Sequence, residues 1–479
     1  MDQTRTPLFG ALIRHIDNKP VSFHVPGHKY GSLFPKEAKH FYNKLLKLDA
    51  TELSGLDDLH SPEGAILEAE QLLSQLYGTK KSFFLVNGST VGNLAMIMAA
   101  IREDDTVLVQ RNCHKSILNG INLVKAEPVF LEPTYDEEWG VAGGVSINTV
   151  KKAIKAFPSS KAIILTYPNY YGMINDLEEI IQFSHSKGIP VLIDEAHGTH
   201  FIGNDIFPQS AVSLKADIVV QSAHKTLPAM TMGSYLHFNS NLLSEKDIRS
   251  YLEILQSSSP SYPIMASLDI ARSYLAGFSN DDAEALLYKI QDFKRRLQKL
   301  KGIKVLSFKN GIGDPLKITL QSTSSLSGYE LQGRLESVGI FTEMADPYNV
   351  LLIFPLLKSD MEYSIEDMVD RFEAALKSVT IHKHPKKAKT GFVTSSISKL
   401  ELNAKQRADL TSISVPMDEA IGKVCAQFII PYPPGIPLLF PGETISKEHI
   451  DNIRLLFETG ARFQGAEGIK SGMIDIFPN

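Results

Sequence analysis

The chain runs to 479 residues with 43% hydrophobic and 22% charged side chains, a globular composition that excludes a disordered or collagen-like polymer. Its 49 basic and 54 acidic residues leave a formal charge of −5. The densest basic stretch, HKHPKKAKT at 382–390, reads as a solvated linker, so nucleic acid and anionic membrane are not expected partners. At roughly 150 residues per domain the length suits about three domains. Two cysteines, Cys113 and Cys425, are too few for a disulfide framework and stand outside any zinc-ligand spacing. The first residues carry charges before any apolar signal core, and no stretch reaches the ~18–20 apolar residues of a membrane span. A protein of the reducing cytoplasm is the expectation.

In chain order, residues 1–60 read as an irregular N-terminal linker or arm, with Pro, Gly and His gathered in SFHVPGHKYG (22–31) and TELSGLDDLH (51–60). A helix is predicted next, with Ser61 as N-cap, Pro62 at the first helical position, and Glu63 and Glu68 in the early turns. Its apolar stripe is Ile66, Ala69, Leu72, Leu73 and Leu76, and Gly78 stops it. From 80 to 240 short apolar runs alternate with helical stretches. The runs are SFFLV (82–86), TVLVQ (106–110), EPVFLEP (127–133), AIILTYP (162–168), PVLIDE (190–195), DIVVQS (217–222) and GSYLHF (233–238). Runs apolar throughout suit strands buried on both faces, as in a parallel sheet covered by helices. Buried helix segments are the competing reading, but run length, Val/Ile content and Gly/Pro borders favour strands.

This places a large α/β domain at 61–300, its last part helical from 241. KVLSF, LKITLQ and NVLLIFPL then suggest a small α+β domain at 301–380. A polar linker at 380–396 sets off a final domain, 381–479, containing IIPYPPGIPLLFPGE (429–443).

In such a sheet ligands gather at the carboxyl ends of the strands. SFFLV is followed by Asn87-Gly88-Ser89-Thr90, a hydroxyl-bearing turn opening a helix: either a phosphate site or simple N-capping. TVLVQ leads to His114, which can stack on an aromatic cofactor, act as an acid or serve the structure alone. PVLIDE closes on Asp194, costly to bury without a cation or hydrogen-bond donor. Its competing readings are a helix cap or, with His197 and His200 nearby, a metal ligand, although no clean coordination pattern is present. DIVVQS runs into Ser222-Ala223-His224-Lys225-Thr226. A lysine here either snorkels to the surface or, desolvated, becomes a competent amine for a Schiff base. Together these signals are the equipment for pyridoxal phosphate: an amine for the aldehyde, a turn for the phosphate, and a carboxylate for the ring nitrogen.

The chain resembles the bacterial group III ornithine/lysine/arginine decarboxylases. The resemblance rests on FHVPGHK (23–29), FFLVNGSTVGN (83–93), QRNCHKS (110–116), DEAHGTHF (194–201), SAHKTLPAMT (222–231), SSSPSYPIMASLD (257–269) and IIPYPPGIPLLFPGE (429–443). It implies a fold-type-I, aspartate-aminotransferase-type α/β core with a small α+β domain and a C-terminal α+β domain. It implies Lys225 as the Schiff-base lysine, Asp194 as the ring-nitrogen partner and His114 stacked on the ring. Ser89, Thr90, Ser222 and His224 would hold the phosphate or position the cofactor. His197 stands beside the ring where some relatives carry another residue. The segment 257–259, centred on Ser258, reaches the neighbouring subunit's phosphate in the family, which implies a homodimer with shared active sites. Long relatives begin with a flavodoxin-like wing, whereas this chain starts almost at the core, as in the short Gram-positive branch.

The implied reaction is decarboxylation of a basic L-amino acid, with a slight lean to arginine giving agmatine for polyamine biosynthesis. An acidic group must then read the distal cation, and Glu52, Asp57, Asp58, Glu343 and Glu443 are the candidates, each with a surface or capping role as its alternative. An aminotransferase or aldolase of the same fold would use the same lysine and aspartate. A cofactor-dependent regulator would need a DNA-binding module, for which the sequence offers no helix-turn-helix extension.

Overall fold

The computed structural model describes residues 1–377, 379–381, 396–432, 435–465 and 467–478. The 380–396 linker therefore lies, from 382 to 395, outside the described residues. The seven expected strands form as β1 (Lys81–Leu85), β2 (Thr106–Gln110), β3 (Glu127–Leu131), β4 (Ala162–Thr166), β5 (Val191–Asp194), β6 (Ile218–Gln221) and β7 (Ser234–Phe238). They are distributed over two compact units, Met1–Ala100 with Pro190–Ser279, and Ile101–Ile189 with Asn280–Asn479.

In the first unit the strands lie in the order β1, β7, β6, β5. β5 and β6 are parallel as expected, but β7 runs antiparallel to both β6 and β1. The link at 222–233 is taken up by a one-turn helix, Ala223–Thr226, and a turn, so it reverses the chain instead of crossing over. Nor are residues 1–60 irregular, since they hold α1 (Pro7–Asp17) and α2 (Lys36–Leu48). In α1 Pro7 occupies the first turn, and Leu8, Ala11 and Leu12 are buried at helical spacing. The Leu8 amide donates to the buried Asp269 carboxylate (3.0 Å), itself paired with Arg272 (2.9 Å).

The helix predicted after residue 61 is α3, Ala65–Tyr77, and it stops at Gly78 with φ +65° as expected. Its start is corrected. Ser61 does not cap it. The Asp57 carboxylate does, accepting the amides of Glu63 (2.9 Å), Gly64 (2.8 Å) and Ile66 (2.9 Å). A carboxylate at a helix N-terminus meets both unpaired N–H groups and the positive end of the dipole. Helix α4 (Gly88–Ala100) follows β1 at once. A Cβ on Gly92 would stand 2.7 Å from Leu85 Cδ1 and Val220 Cγ1, so only glycine lets α4 sit this close to β1 and β6.

In the second unit β4, β2 and β3 are parallel neighbours, and Ile397–Lys399 pairs antiparallel with β3. An antiparallel sheet orders Ile303–Val305, Lys317–Ser322, Asn349–Ile353 and Met344–Ala345. The C-terminal strands surround an apolar cluster that includes Ile429, Leu439, Ile450 and Ile453.

Burial alone would raise the Asp57 pKa, but backbone donors from Glu63, Asp58, Gly64 and Leu67 together hold it below the usual value. Its capping therefore contributes stability at neutral pH that is lost as pH falls through the depressed folded-state pKa. Asp57→Ala is expected to cost about 1–2 kcal/mol at pH 7. Urea titrations should show the gap to the parent closing in strong acid.

Candidate active site

Three short segments of the first unit meet through side-chain hydrogen bonds. β5 ends on Asp194, only 4% exposed, whose Oδ2 accepts from Asn93 Nδ2 (3.0 Å) and whose Oδ1 accepts the Ala196 amide (3.2 Å). Asn93 lies on α4 one turn after Ser89, so the two side chains share a helix face. Ser89 Oγ accepts from Ser222 Oγ (2.8 Å), a buried hydroxyl just past β6. Three residues on, Lys225 Nζ lies 3.0 Å from the Nε2 of His197, a buried imidazole on the turn after β5. Chain connectivity and three hydrogen bonds thus tie the ends of two parallel strands to the first turns of one helix.

The chemistry of each part follows from its place. If His197 Nε2 accepts from the lysine, the neutral ring carries its proton on Nδ1. Asp194 receives neutral donors from Asn93 and Ala196, which orient the carboxylate while leaving its charge for a cationic partner. α4 opens at Gly88 (φ +81°), whose amide donates to the Met232 carbonyl (3.0 Å). The first-turn amides of this helix and the adjacent hydroxyls are donors that an anion could take. Thr90 lies in that turn and is exposed. His224 Nδ1 is 3.0 Å from the Gly233 carbonyl, placing it against the turn before β7. The Ser257 amide donates to Asn87 Oδ1 (3.3 Å), His60 Nε2 reaches the Ser257 carbonyl (2.9 Å), and Ser258 is exposed. A pyridine cofactor with a phosphate fits this donor set: an amine, an oriented buried carboxylate and a hydroxyl-bearing helix start.

His114 belongs to the second unit, at the N-cap of helix α5 (Lys115–Leu123). Its Nδ1 accepts the Ser116 amide (3.2 Å) and lies 2.8 Å from Ser116 Oγ. Gly435 packs on the ring: at φ +88°, an added Cβ would stand 3.3 Å from Nε2 and Cδ2. The neighbouring Lys115 amide donates to the Gly435 carbonyl (3.1 Å). Arg111, fully buried, adds bonds to the carbonyls of Pro437 (2.8 Å) and Leu438 (3.0 Å) and an ion pair with Glu443 (2.8 Å). Two motifs more than 300 residues apart in sequence are thereby joined.

This settles two of the acidic candidates. Asp57 is the α3 cap, and Glu443 is occupied by Arg111 and the Phe440 amide (2.7 Å). Asp58 accepts the His60 amide (2.9 Å), while Glu52 and Glu343 are exposed. Sequence reasoning missed Asn93 and Glu195. Asn93 was detectable as a buried-side amide in an otherwise apolar helix. Glu195, fully buried beside Asp194, is pushed up to about 8 by burial, although Ala211, Gln221 and Ser210 all donate to it.

A lysine, a strand-end carboxylate and a hydroxyl-bearing helix start on one α/β framework are a donor set suited to a fold-type-I pyridoxal-phosphate enzyme, the class to which the family and structural matches assign the chain. Solved structures agree on the fold. A Francisella novicida lysine decarboxylase superposes with a TM-score of 0.81 at 21% identity, covering 98% of this chain and 81% of that one. A Sphingomonas wittichii serine palmitoyltransferase gives 0.53 at 19% identity, covering 71% and 81%. The family model of the Orn/Lys/Arg decarboxylase major domain matches residues 6–313, and that of its C-terminal domain matches 372–474. The chain belongs to the Orn/Lys/Arg decarboxylase family and is a pyridoxal-phosphate-dependent decarboxylase of a basic amino acid. It is 45% identical to the uncharacterized Bacillus subtilis protein YaaO, over 98% of both chains. It is 33% identical to a B. subtilis arginine decarboxylase, over 99% of this chain and 98% of that protein. With the Escherichia coli constitutive lysine decarboxylase the identity is 24%, over 98% of this chain and 79% of the relative.

Glu443→Ala removes the carboxylate ion-paired with Arg111 and leaves the buried guanidinium with Glu132 as the remaining nearby carboxylate, and is expected to cost about 1–3 kcal/mol in urea unfolding. A variant as stable as the parent but with a raised KM would return Glu443 to the substrate pocket.

Proposed function

We propose that this enzyme decarboxylates L-arginine to agmatine, with lysine and ornithine as the runner-up substrates. The observation that carries the reading is the hydrogen-bonded set Lys225–His197, Asp194–Asn93 and Ser222–Ser89. The lean to arginine is supported by the B. subtilis arginine decarboxylase, similar over nearly the whole chain.

Pyridoxal phosphate, when bound, supplies an electron-withdrawing ring that accepts the electrons released as carbon dioxide leaves. The protein's part is to hold charges and protons in place. Asp194 keeps a proton on the ring nitrogen, and its burial makes that attraction stronger than it would be in water. Asn93 fixes the carboxylate's orientation. His197 accepts a hydrogen bond from Lys225 and so holds the amine on one line of approach, ready to take up its proton. After decarboxylation, Lys225 Nζ returns a proton to Cα with His197 as its reservoir. The α4 N-terminus with Ser89, Thr90, Ser222 and His224 holds the phosphate. His114 stacks on the ring, and Ser258 reaches the phosphate of a partner subunit in a cytoplasmic homodimer that feeds polyamine biosynthesis.

The test is purified protein with pyridoxal phosphate, offered arginine, lysine and ornithine separately while the amine products are followed. Agmatine from arginine is the expected outcome. Cofactor-loaded protein releasing none of the three amines, or releasing a keto acid, would sink the assignment. Lys225→Ala should abolish both turnover and the cofactor's protein-bound absorbance. Asn93→Leu should lower kcat roughly 10–100-fold, the worth of a hydrogen bond to a charged group.

A further inference from the structure

The Glu195 amide donates to the Val220 carbonyl (2.8 Å), so the pairing of β5 with β6 runs one residue past Asp194. Consecutive strand residues point to opposite faces, and Glu195 therefore turns away from α4, toward the face that Tyr77 of α3 covers. From there a chain of side-chain hydrogen bonds crosses the sheet of the first unit. Glu195 Oε2 accepts from Gln221 Nε2 on β6 (2.6 Å), and Gln221 Oε1 lies 3.1 Å from His237 Nε2 on β7. His237 Nδ1 lies 2.8 Å from Ser82 Oγ on β1, which lies 2.8 Å from Thr79 Oγ1. Glu195, Gln221, His237 and Ser82 are all buried. The Ser210 hydroxyl and the Ala211 amide also donate to Glu195, each at 2.7 Å.

This ladder has two complete hydrogen-bonding states. With Glu195 ionised, the Gln221 amide donates to it, the Gln221 oxygen accepts His237 Nε2–H, and His237 Nδ1 accepts the Ser82 hydroxyl. With Glu195 protonated, its O–H donates to the Gln221 oxygen, the turned amide donates to His237 Nε2, and His237 Nδ1–H donates to Ser82. Ser82 then donates to Thr79, whose hydroxyl reaches the Ser74 carbonyl (3.5 Å). A glutamine amide can present oxygen or nitrogen to either neighbour, and a neutral imidazole can carry its proton on either nitrogen. Every bond of the ladder survives in both states with its direction reversed, so the exchange leaves none of them unmade.

The surroundings decide which end of the ladder titrates. His237 stays neutral, since burial pushes it down to about 3. The three donors to Glu195 are neutral, and burial outweighs them to push it up to about 8. Tyr77 stacks on His237 at 4.1 Å and Tyr235 lies 6.0 Å from the same ring, with burial raising both phenols. The Asp269–Arg272 pair of the helix Tyr262–Ala276 acts on Tyr235. Asp194 precedes Glu195, and His197 and His200 stand on the turn after it, where a Cβ on Gly198 would meet Glu195 Cγ at 2.7 Å. We propose that Glu195 is a positioning residue that serves the site as a neutral acid: protonated, it leaves the β5 end with the single charge of Asp194, and ionised, it reverses the ladder and adds a second charge beside that one. A second negative charge there strengthens the hold of nearby cationic groups on their protons, Lys225 and a bound ring nitrogen among them.

The test follows the ring nitrogens of His237 by NMR in holoenzyme carrying nitrogen-labelled histidine, titrated from neutral to alkaline pH. Ser82→Ala, which removes the partner of Nδ1, picks out the His237 signals. In the parent the ring proton is expected to move from Nδ1 to Nε2 through about pH 8. In Glu195→Gln, whose amide donates to Gln221 as the protonated acid does, it should stay on Nδ1 at every pH. The alkaline change in cofactor absorbance should shift to lower pH in that variant, because the charge opposing proton loss is gone. A merely structural role for Glu195 would move neither readout. A ring proton that keeps to one nitrogen in the parent overturns the proposal, and does so even where Glu195→Gln fails to fold. A tautomer change that persists in Glu195→Gln, or an absorbance change left in place, overturns it too. None of these readouts depends on which amine the enzyme releases, so a failed arginine assay leaves the proposal to be judged by its own result.

Discussion

A carboxylate at the end of a buried strand is the constraint around which the first unit is built. At 4% exposure the Asp194 carboxylate must meet hydrogen-bond donors, because a buried polar group left without partners costs free energy. The nearest donor comes from Asn93, and that requires α4 to lie hard against the sheet. Gly92 makes the close approach possible, since a side chain there would collide with Leu85 and Val220. The same seating brings Ser89 to Ser222, and the short helix after Ser222 points Lys225 at His197. One electrostatic requirement thus propagates into helix packing, and the packing sets where the hydroxyls and the amine lie.

The second unit turns on a comparable pairing. Arg111 is fully buried, and its guanidinium is divided between two carbonyls of the segment 437–438 and the Glu443 carboxylate. A fork of planar donors suits that task better than a lysine would. The arrangement fixes the chain on which Gly435 approaches His114, and it explains why a glutamate in a distinctive motif serves the structure. Glu132, close to the same group, is pushed up to about 7 by burial, with Arg111 opposing and Glu443 adding to the rise.

Local signals were legible where a single element decides the outcome. Seven apolar runs became seven strands, because length and β-branched content already distinguish them from helices. Gly78 stopped its helix because only a left-handed residue continues the chain there without strain. The start of α3 was misplaced because its cap is a carboxylate four residues before Ser61, which local capping rules do not scan. Residues 1–60 read as irregular because Pro, Gly and His clusters masked the Leu8, Ala11 and Leu12 spacing of α1. The direction of β7 was invisible, since strand composition reports burial and not orientation.

The sequence by itself determined the chemistry: the order of strand-end residues specified an amine, a carboxylate and an anion turn, because each is written in a contiguous motif. Tertiary structure alone decided which partner each one has. Asn93 under Asp194, His197 against Lys225, Arg111 on Glu443 and Asp57 under α3 are contacts between residues 7 to 332 positions apart. Such contacts are set by how closely backbones pack and by which buried polar atoms must be satisfied, and no sequence window contains either quantity.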